Sequence, residues 1–149
     1  MNKRNFELLG SFTILYIEDE ADLLKHTTSV LEDFVKKIYP VQTIDEALEI
    51  IKTEKIDVII ADIHLKYSNG LDFLRSVKND LEIELPSIVT TAFTDTEYLL
   101  DAIKLHVDNY IIKPVNIKEL LNSLHDVLYL KFKPKRSSAL TTSSKPSLR

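Results

Sequence analysis

Short apolar runs alternate along this chain with longer stretches in which apolar residues recur every three or four positions. Ile14-Leu15-Tyr16-Ile17 is the first run, and it stops at three acidic residues, Glu18, Asp19 and Glu20. Leu23, Leu24, Thr27, Leu31, Phe34, Val35 and Ile38 then fall on one helical face. Pro40 is expected to close that helix, leaving Val41 to Thr43 for a short second strand. Ile44, Ala47, Leu48 and Ile51 mark a second helix, and Val58-Ile59-Ile60-Ala61 is a solid apolar strand ending at Asp62. Asn69-Gly70 turns into a third helix carrying Leu71, Leu74 and Val77. Ser87 to Thr91, behind Pro86, makes a fourth strand, and Thr94 with Glu97 reads as a capping box for a fourth helix. Tyr110-Ile111-Ile112 is the fifth strand; Ile117, Leu120, Leu121, Leu124 and Leu128 line the fifth helix.

Five strand–helix units predict an α/β fold, a doubly wound five-stranded parallel sheet with helices on both faces. Strands buried on both sides read as unbroken apolar runs, as these do. In such a sheet ligands bind beyond the carboxyl ends of the strands, so the residues that follow each run carry the chemistry.

Composition narrows the classes. The 149 residues are 44% hydrophobic and 28% charged, which suits one folded domain with a real core. Without cysteine there is neither a disulfide framework nor a thiolate metal site. The N-terminus lacks the apolar core of a signal peptide, and no apolar run is long enough to span a bilayer, so a cytoplasmic protein without membrane contact is expected. The net charge of −4 is unevenly spread. Residues 131–149 hold six basic residues and no acidic one, leaving residues 1–130 with 13 basic against 23 acidic side chains. So acidic a body argues against direct nucleic-acid binding by the domain itself. The expected organisation is an N-terminal segment at 1–12, a domain at 13–130, and a basic Ser/Thr/Pro-containing tail or linker at 131–149.

The strand ends bring Glu18 and Asp19, Asp62, Thr91 and Lys113 to one edge of the sheet. Carboxylates converging there repel unless protonated or bridged by a cation. Oxygen donors without His or Cys favour a hard cation, and a site with room for water and phosphate favours Mg²⁺. A threonine hydroxyl and a lysine ammonium suit phosphoryl oxygens, and a carboxylate without competing partners can act as the nucleophile. Taken singly, an acidic pair after a strand is often a solvated loop, a lone Asp a helix cap, and a lone Thr a strand former. Their joint placement at four strand ends is what carries weight. With only Gly10 and Gly70, neither a P-loop nor a dinucleotide fingerprint can be built. The four histidines show no metal-ligand spacing.

Tyr16-Ile17-Glu18-Asp19-Glu20, Val58-Ile59-Ile60-Ala61-Asp62, Thr91-Ala92 and Tyr110-Ile111-Ile112-Lys113-Pro114 resemble the successive motifs of bacterial two-component response-regulator receiver domains, from about Thr13 to Leu130. The resemblance implies a flavodoxin-like fold and phosphorylation of Asp62 by a sensor histidine kinase or phosphotransfer protein. It also implies Mg²⁺ held by Asp19, Asp62, the backbone carbonyl of His64 and, partly through water, Glu18. Lys113 would pair with Asp62 and then with a phosphoryl oxygen. Thr91 would move toward the phosphoryl group and let Tyr110 swing inward, remodelling the face of helix 4, strand 5 and helix 5 for an effector or a homodimer. Such a domain catalyses only its own phosphorylation and dephosphorylation. His64 and Phe93 would flank the attacking water and tune the phosphoryl lifetime, which is expected to be long. The Lys113-Pro114 peptide is expected to be cis. The sequence departs from the family where Glu18 replaces the commoner Asp, Lys66 a usual proline and His106 a frequent glycine. Asn109 takes an often acidic position, and helix 5 has no arginine. The competing reading is a phosphorylation-independent pseudo-receiver, an interaction module that usually lacks one of the acidic, Asp or Lys positions.

Overall fold

The computed structural model describes residues 6–92 and 97–132, with the side chain of Phe132 excluded. Five parallel strands, β1 (Thr13–Ile17), β2 (Lys37–Val41), β3 (Val58–Asp62), β4 (Ser87–Thr91) and β5 (Asn109–Ile112), form one sheet in the order β2-β1-β3-β4-β5. Helices α1 (Ala21–Leu31), α2 (Ile44–Thr53), α3 (Gly70–Asn79), α4 (Glu97–Leu105) and α5 (Ile117–Phe132) connect and flank it. The chain leaves β1 toward β2 on one side, then returns to place β3 on the other. That reversal puts the topological switch point between the carboxyl ends of β1 and β3. Glu18 and Asp62 stand there.

Period-two alternation inside the apolar runs builds two cores. Ile14, Tyr16, Val58, Ile60, Ile88 and Ile111 face one side, with Leu24 and Leu31 of α1 and Leu120, Leu124 and Leu128 of α5. Leu15, Ile17, Ile59, Ala61 and Val89 face the other, against Ala47 and Ile51 of α2, Leu71, Leu74 and Val77 of α3, and Ala102 of α4. The central strands β3 and β4 are buried throughout, whereas the edge strands β2 and β5 are only partly covered.

The strand bases are tied by a repeated clamp. Asp57 donates its N–H to the Thr13 carbonyl and accepts the Thr13 N–H on Oδ2 at 2.8 Å. Asp108 makes the same pair of bonds with Ser87, again at 2.8 Å to Oδ2.

The first helix is shorter than its apolar spacing suggests. It ends at Leu31; Phe34 and Val35 lie in the following loop, and Ile38 belongs to β2, which includes Pro40. Pro40 is tolerated because β2 pairs only with β1, so a missing N–H on its open edge breaks no ladder bond. Upstream of Thr13, a 3₁₀ turn at Glu7–Ser11 buries Leu9 completely in the α1–α5 core, and Phe6 packs edge-on against Phe34. Thr94 of the expected capping box lies outside the described residues. Thr43 caps α2 instead: its Oγ1 accepts the Glu46 N–H, and Glu46 Oε1 accepts the N–H of Gln42, the residue before the cap. No helix among the described residues is long and apolar enough to cross a membrane.

Candidate functional site

Glu18 and Asp19 follow β1 directly, and Asp62 ends β3. A carboxylate oxygen of each lies within 4.8 Å of the other two. Glu18 and Asp62 are almost wholly buried, at 1% and 3% exposed, which is costly for carboxylates unless a cation compensates. Lys113, one residue past β5, reaches between them: its Nζ is 2.9 Å from Asp62 Oδ2 and 3.0 Å from Glu18 Oε1. The Lys113 N–H donates to the Thr91 carbonyl at 2.7 Å, which anchors the lysine to the end of β4. The Lys113–Pro114 peptide is cis, in agreement with the expectation.

Neighbouring backbone fixes the acids. Glu18 Oε2 accepts the Glu20 N–H at 3.0 Å, and Asp62 Oδ1 accepts the His64 N–H at 3.3 Å. Gln42, which the sequence did not single out, donates its side-chain amide to the Asp19 carbonyl. Glu20 is exposed, occupies the N-cap position of α1, and is not one of the three grouped carboxylates. His64 sits in a small hairpin formed by His64–Leu65 and Ser68–Asn69, and its ring meets the ring of Tyr98 edge-on. Nothing in the sequence marks Tyr98 as a partner of this loop. Asn69 Oδ1 accepts the Leu71 N–H and so caps α3, while Gly70 presses against the Asp62 carbonyl.

Burial pushes the Glu18 carboxyl above its usual range, and the charge of Asp62 adds to the effect. Asp62 is likewise raised, first by burial and further by Asp19, against the opposing hydrogen bond and charge of Lys113. For Lys113, burial favours the neutral amine, but its hydrogen bond to Asp62 and the nearby Glu18 carboxylate outweigh burial and hold it protonated. With all four groups ionised, three negative charges face one positive. The Lys113 contact to Glu18 Oε1 is an ion pair without hydrogen-bond geometry, so this buried oxygen retains acceptor capacity. A set of oxygen donors with that surplus of negative charge fits a hard divalent cation such as Mg²⁺.

Thr91 is fully buried at the end of β4; Tyr110 on β5 is half-buried and packs against the α2–α3–α4 core. Thr90, its neighbour, pairs in register with Asp62 but is buried without a hydrogen-bond partner for its hydroxyl. His106, at a position where glycine is frequent in the resembling family, adopts a left-handed backbone with φ of 64°. Phe93 lies outside the described residues.

The chain belongs to the response regulator receiver domain family, whose model matches residues 14–125. It is 30% identical over 130 residues to the probable transcriptional regulator ycf27 of Guillardia theta, covering 87% of this chain and 50% of that protein. To the phosphate regulon transcriptional regulatory protein PhoB of Pseudomonas aeruginosa it is 29% identical, with 78% of this chain and 51% of the relative covered. This chain therefore spans about half the length of these relatives. Among solved structures, a CheY-like response regulator receiver domain protein from Methanospirillum hungatei superposes with a TM-score of 0.75 at 26% identity, covering 81% of this chain and 96% of that one. The non-phosphorylated HemR receiver domain from Leptospira biflexa gives a TM-score of 0.73 at 27% identity over 83% and 98% of the two chains.

Proposed function

We propose that Asp62 is the phosphoacceptor of a two-component relay, supplied by the phosphohistidine of a sensor kinase or phosphotransfer protein. The observation that carries this reading is the position of Asp62, buried at the switch point, bonded to Lys113 and grouped with Glu18 and Asp19. An Asp62 carboxylate oxygen attacks phosphorus, the phosphorus–nitrogen bond breaks, and its electron pair leaves on the imidazole nitrogen, which takes up a proton. Asp19, Asp62 and the His64 carbonyl, with Glu18 through water, would hold Mg²⁺, which when bound neutralises phosphoryl oxygens. Lys113 supplies a second positive charge to those oxygens, and Thr91 a hydroxyl donor. Because Lys113 starts on Asp62 and Glu18, phosphorylation is an exchange of its partners.

Output would follow at the face of α4, β5 and α5. Leu100 and Ile103 of α4, Ile112 of β5 and Leu130 of α5 are exposed apolar side chains there, more than a solvated surface requires. A homodimer or an effector would cover them after Thr91 and Tyr110 shift. The pseudo-receiver reading has no observation in its favour, since the acidic cluster, the Asp, the Thr and the Lys are all in place.

Intact-mass analysis after incubation with acetyl phosphate and Mg²⁺ tests the proposal. One phosphoryl group should be gained, and none in Asp62→Asn, whose amide is no nucleophile. Labelling of Asp62→Asn at the wild-type rate would falsify the assignment. Sedimentation with and without beryllofluoride then separates a homodimer, which would gain mass, from a separate effector.

A further inference from the structure

His64 touches both halves of the proposed switch. Its N–H donates to Asp62 Oδ1 at 3.3 Å, and the two-residue hairpin pairing with Asn69 restrains its backbone. The residue is exposed, and its ring meets Tyr98 with centroids 5.1 Å apart and planes at 85°, an edge-to-face arrangement. Tyr98 is half-buried, packs against the α2–α3–α4 core, and belongs to the first turn of α4. The next residues of that helix, Leu99 and Leu100, are exposed apolar side chains. His64 thus links the strand that bears the phosphoacceptor, through its N–H, to the helix that bears the output surface, through its ring.

We infer that Tyr98 is a positioning residue for His64, and that the pair sets how fast the acyl phosphate on Asp62 is hydrolysed. The inference rests on Asp62 being phosphorylated and adds a residue from α4 to that site. In hydrolysis, water attacks phosphorus, the bond from phosphorus to the Asp62 oxygen breaks, and its electron pair returns to the carboxylate. Inorganic phosphate leaves and the water's proton passes to solvent. A ring held against α4 by Tyr98, on a residue whose own N–H bonds Asp62, restricts the side from which water reaches that phosphorus. Release of the ring opens it. An edge-to-face aromatic pair is strong enough to bias the ring's position by about 3- to 10-fold, so the hydrolysis rate should respond on that scale. Any partner that moves α4 would thereby change the lifetime of the signal as well as read it.

The test uses the full chain in four variants: Tyr98→Leu, Tyr98→Phe, His64→Ala, and His64→Ala with Tyr98→Leu. Loss of the phosphoryl group is followed by intact mass after removal of acetyl phosphate. Tyr98→Leu should lose phosphate about 3- to 10-fold faster than wild type, and Tyr98→Phe at the wild-type rate because the aromatic ring is kept. The double variant should match His64→Ala, since the tyrosine acts only through the histidine. A wild-type rate in Tyr98→Leu, or an effect that adds to that of His64→Ala, overturns the inference. The His64 ring-proton resonances of the unphosphorylated protein give a second readout: they should move in Tyr98→Leu and stay in Tyr98→Phe. Unmoved resonances in Tyr98→Leu overturn the positioning role even if phosphorylation proceeds. Failure of the wild type itself to take up phosphate overturns the phosphoacceptor assignment, a result the resonances report separately.

Discussion

The α-carbon of Gly70 lies against the carbonyl of Asp62, so close that a β-carbon there would stand 3.0 Å from the carbonyl carbon and nearer still to its oxygen. The Gly70 N–H also donates to the Ile63 carbonyl at 2.9 Å, which draws the start of α3 onto the end of β3. The backbone bearing the proposed phosphoacceptor is therefore packed from behind by a residue without a side chain. Gly70→Ala should push β3 and α3 apart, at a cost of about 1–3 kcal/mol typical of overpacking. It should also displace Asp62 from Lys113. Urea denaturation and acetyl phosphate labelling should both suffer; an alanine variant equal to wild type in both would show that the contact relaxes freely.

Among the described residues, the Asp19 carboxylate has no hydrogen-bond donor, while the Glu18 and Asp62 carboxylates do. It is thus the member of the acidic cluster whose removal disturbs the fold least and a bound cation most. Asp19→Asn should weaken Mg²⁺ binding by at least ten-fold while melting near the wild-type temperature in EDTA. Wild type should gain about 2.7 kcal/mol at a Mg²⁺ concentration a hundred times its Kd, and the variant far less at that same concentration. Equal Mg²⁺-dependent melting shifts in the two proteins would remove Asp19 from the cation site.

Asp57 and Asp108 each accept a backbone N–H from the adjoining strand, Thr13 and Ser87 respectively. Replacing Asp57 with alanine leaves the partly buried Thr13 N–H without its acceptor, a loss of about 1–3 kcal/mol. Asn at the same position keeps an acceptor oxygen and should recover part of that stability. Urea midpoints of the two variants check this, and equal midpoints would mean that water replaces the carboxylate.

Tyr39 on the edge strand β2 donates its hydroxyl to Glu54 Oε1 at 3.0 Å. Burial and then the bond and charge of Glu54 raise the phenol above its ordinary value. Because the folded-state value is the higher one, the stabilisation is complete below the unfolded pKa of about 10 and is lost as pH rises through the folded value. The stability difference between wild type and Tyr39→Phe should therefore shrink when urea melts are repeated at increasing pH above about 10. A constant difference would mean that the phenol titrates alike in the folded and unfolded chain.

Local pattern alone determined a good deal of this protein. Short unbroken runs such as Val58 to Ala61, alternating with helical spacings, read as strands covered on both faces, and in a parallel sheet the acidic, hydroxyl and basic residues that end them share one edge. Hence Glu18, Asp19, Asp62, Thr91 and Lys113 were legible as one constellation, and the family motifs agreed. Tertiary structure decided what depends on which neighbour a residue meets. Phe34, Val35 and Ile38 continue the helical spacing of α1, yet Ile38 is claimed by pairing with Ile14 on β1, and the helix stops at Leu31. Pro40 looked like a terminator and is a strand residue, because only the sheet order shows that β2 lies at an edge. Leu9 and Phe6 are too isolated in sequence to announce a core, and only the α1–α5 groove accounts for them. The His64–Tyr98 contact joins residues with 33 positions between them, whose types carry no mutual signal; edge-to-face packing is a property of position in space, which spacing along the chain does not encode.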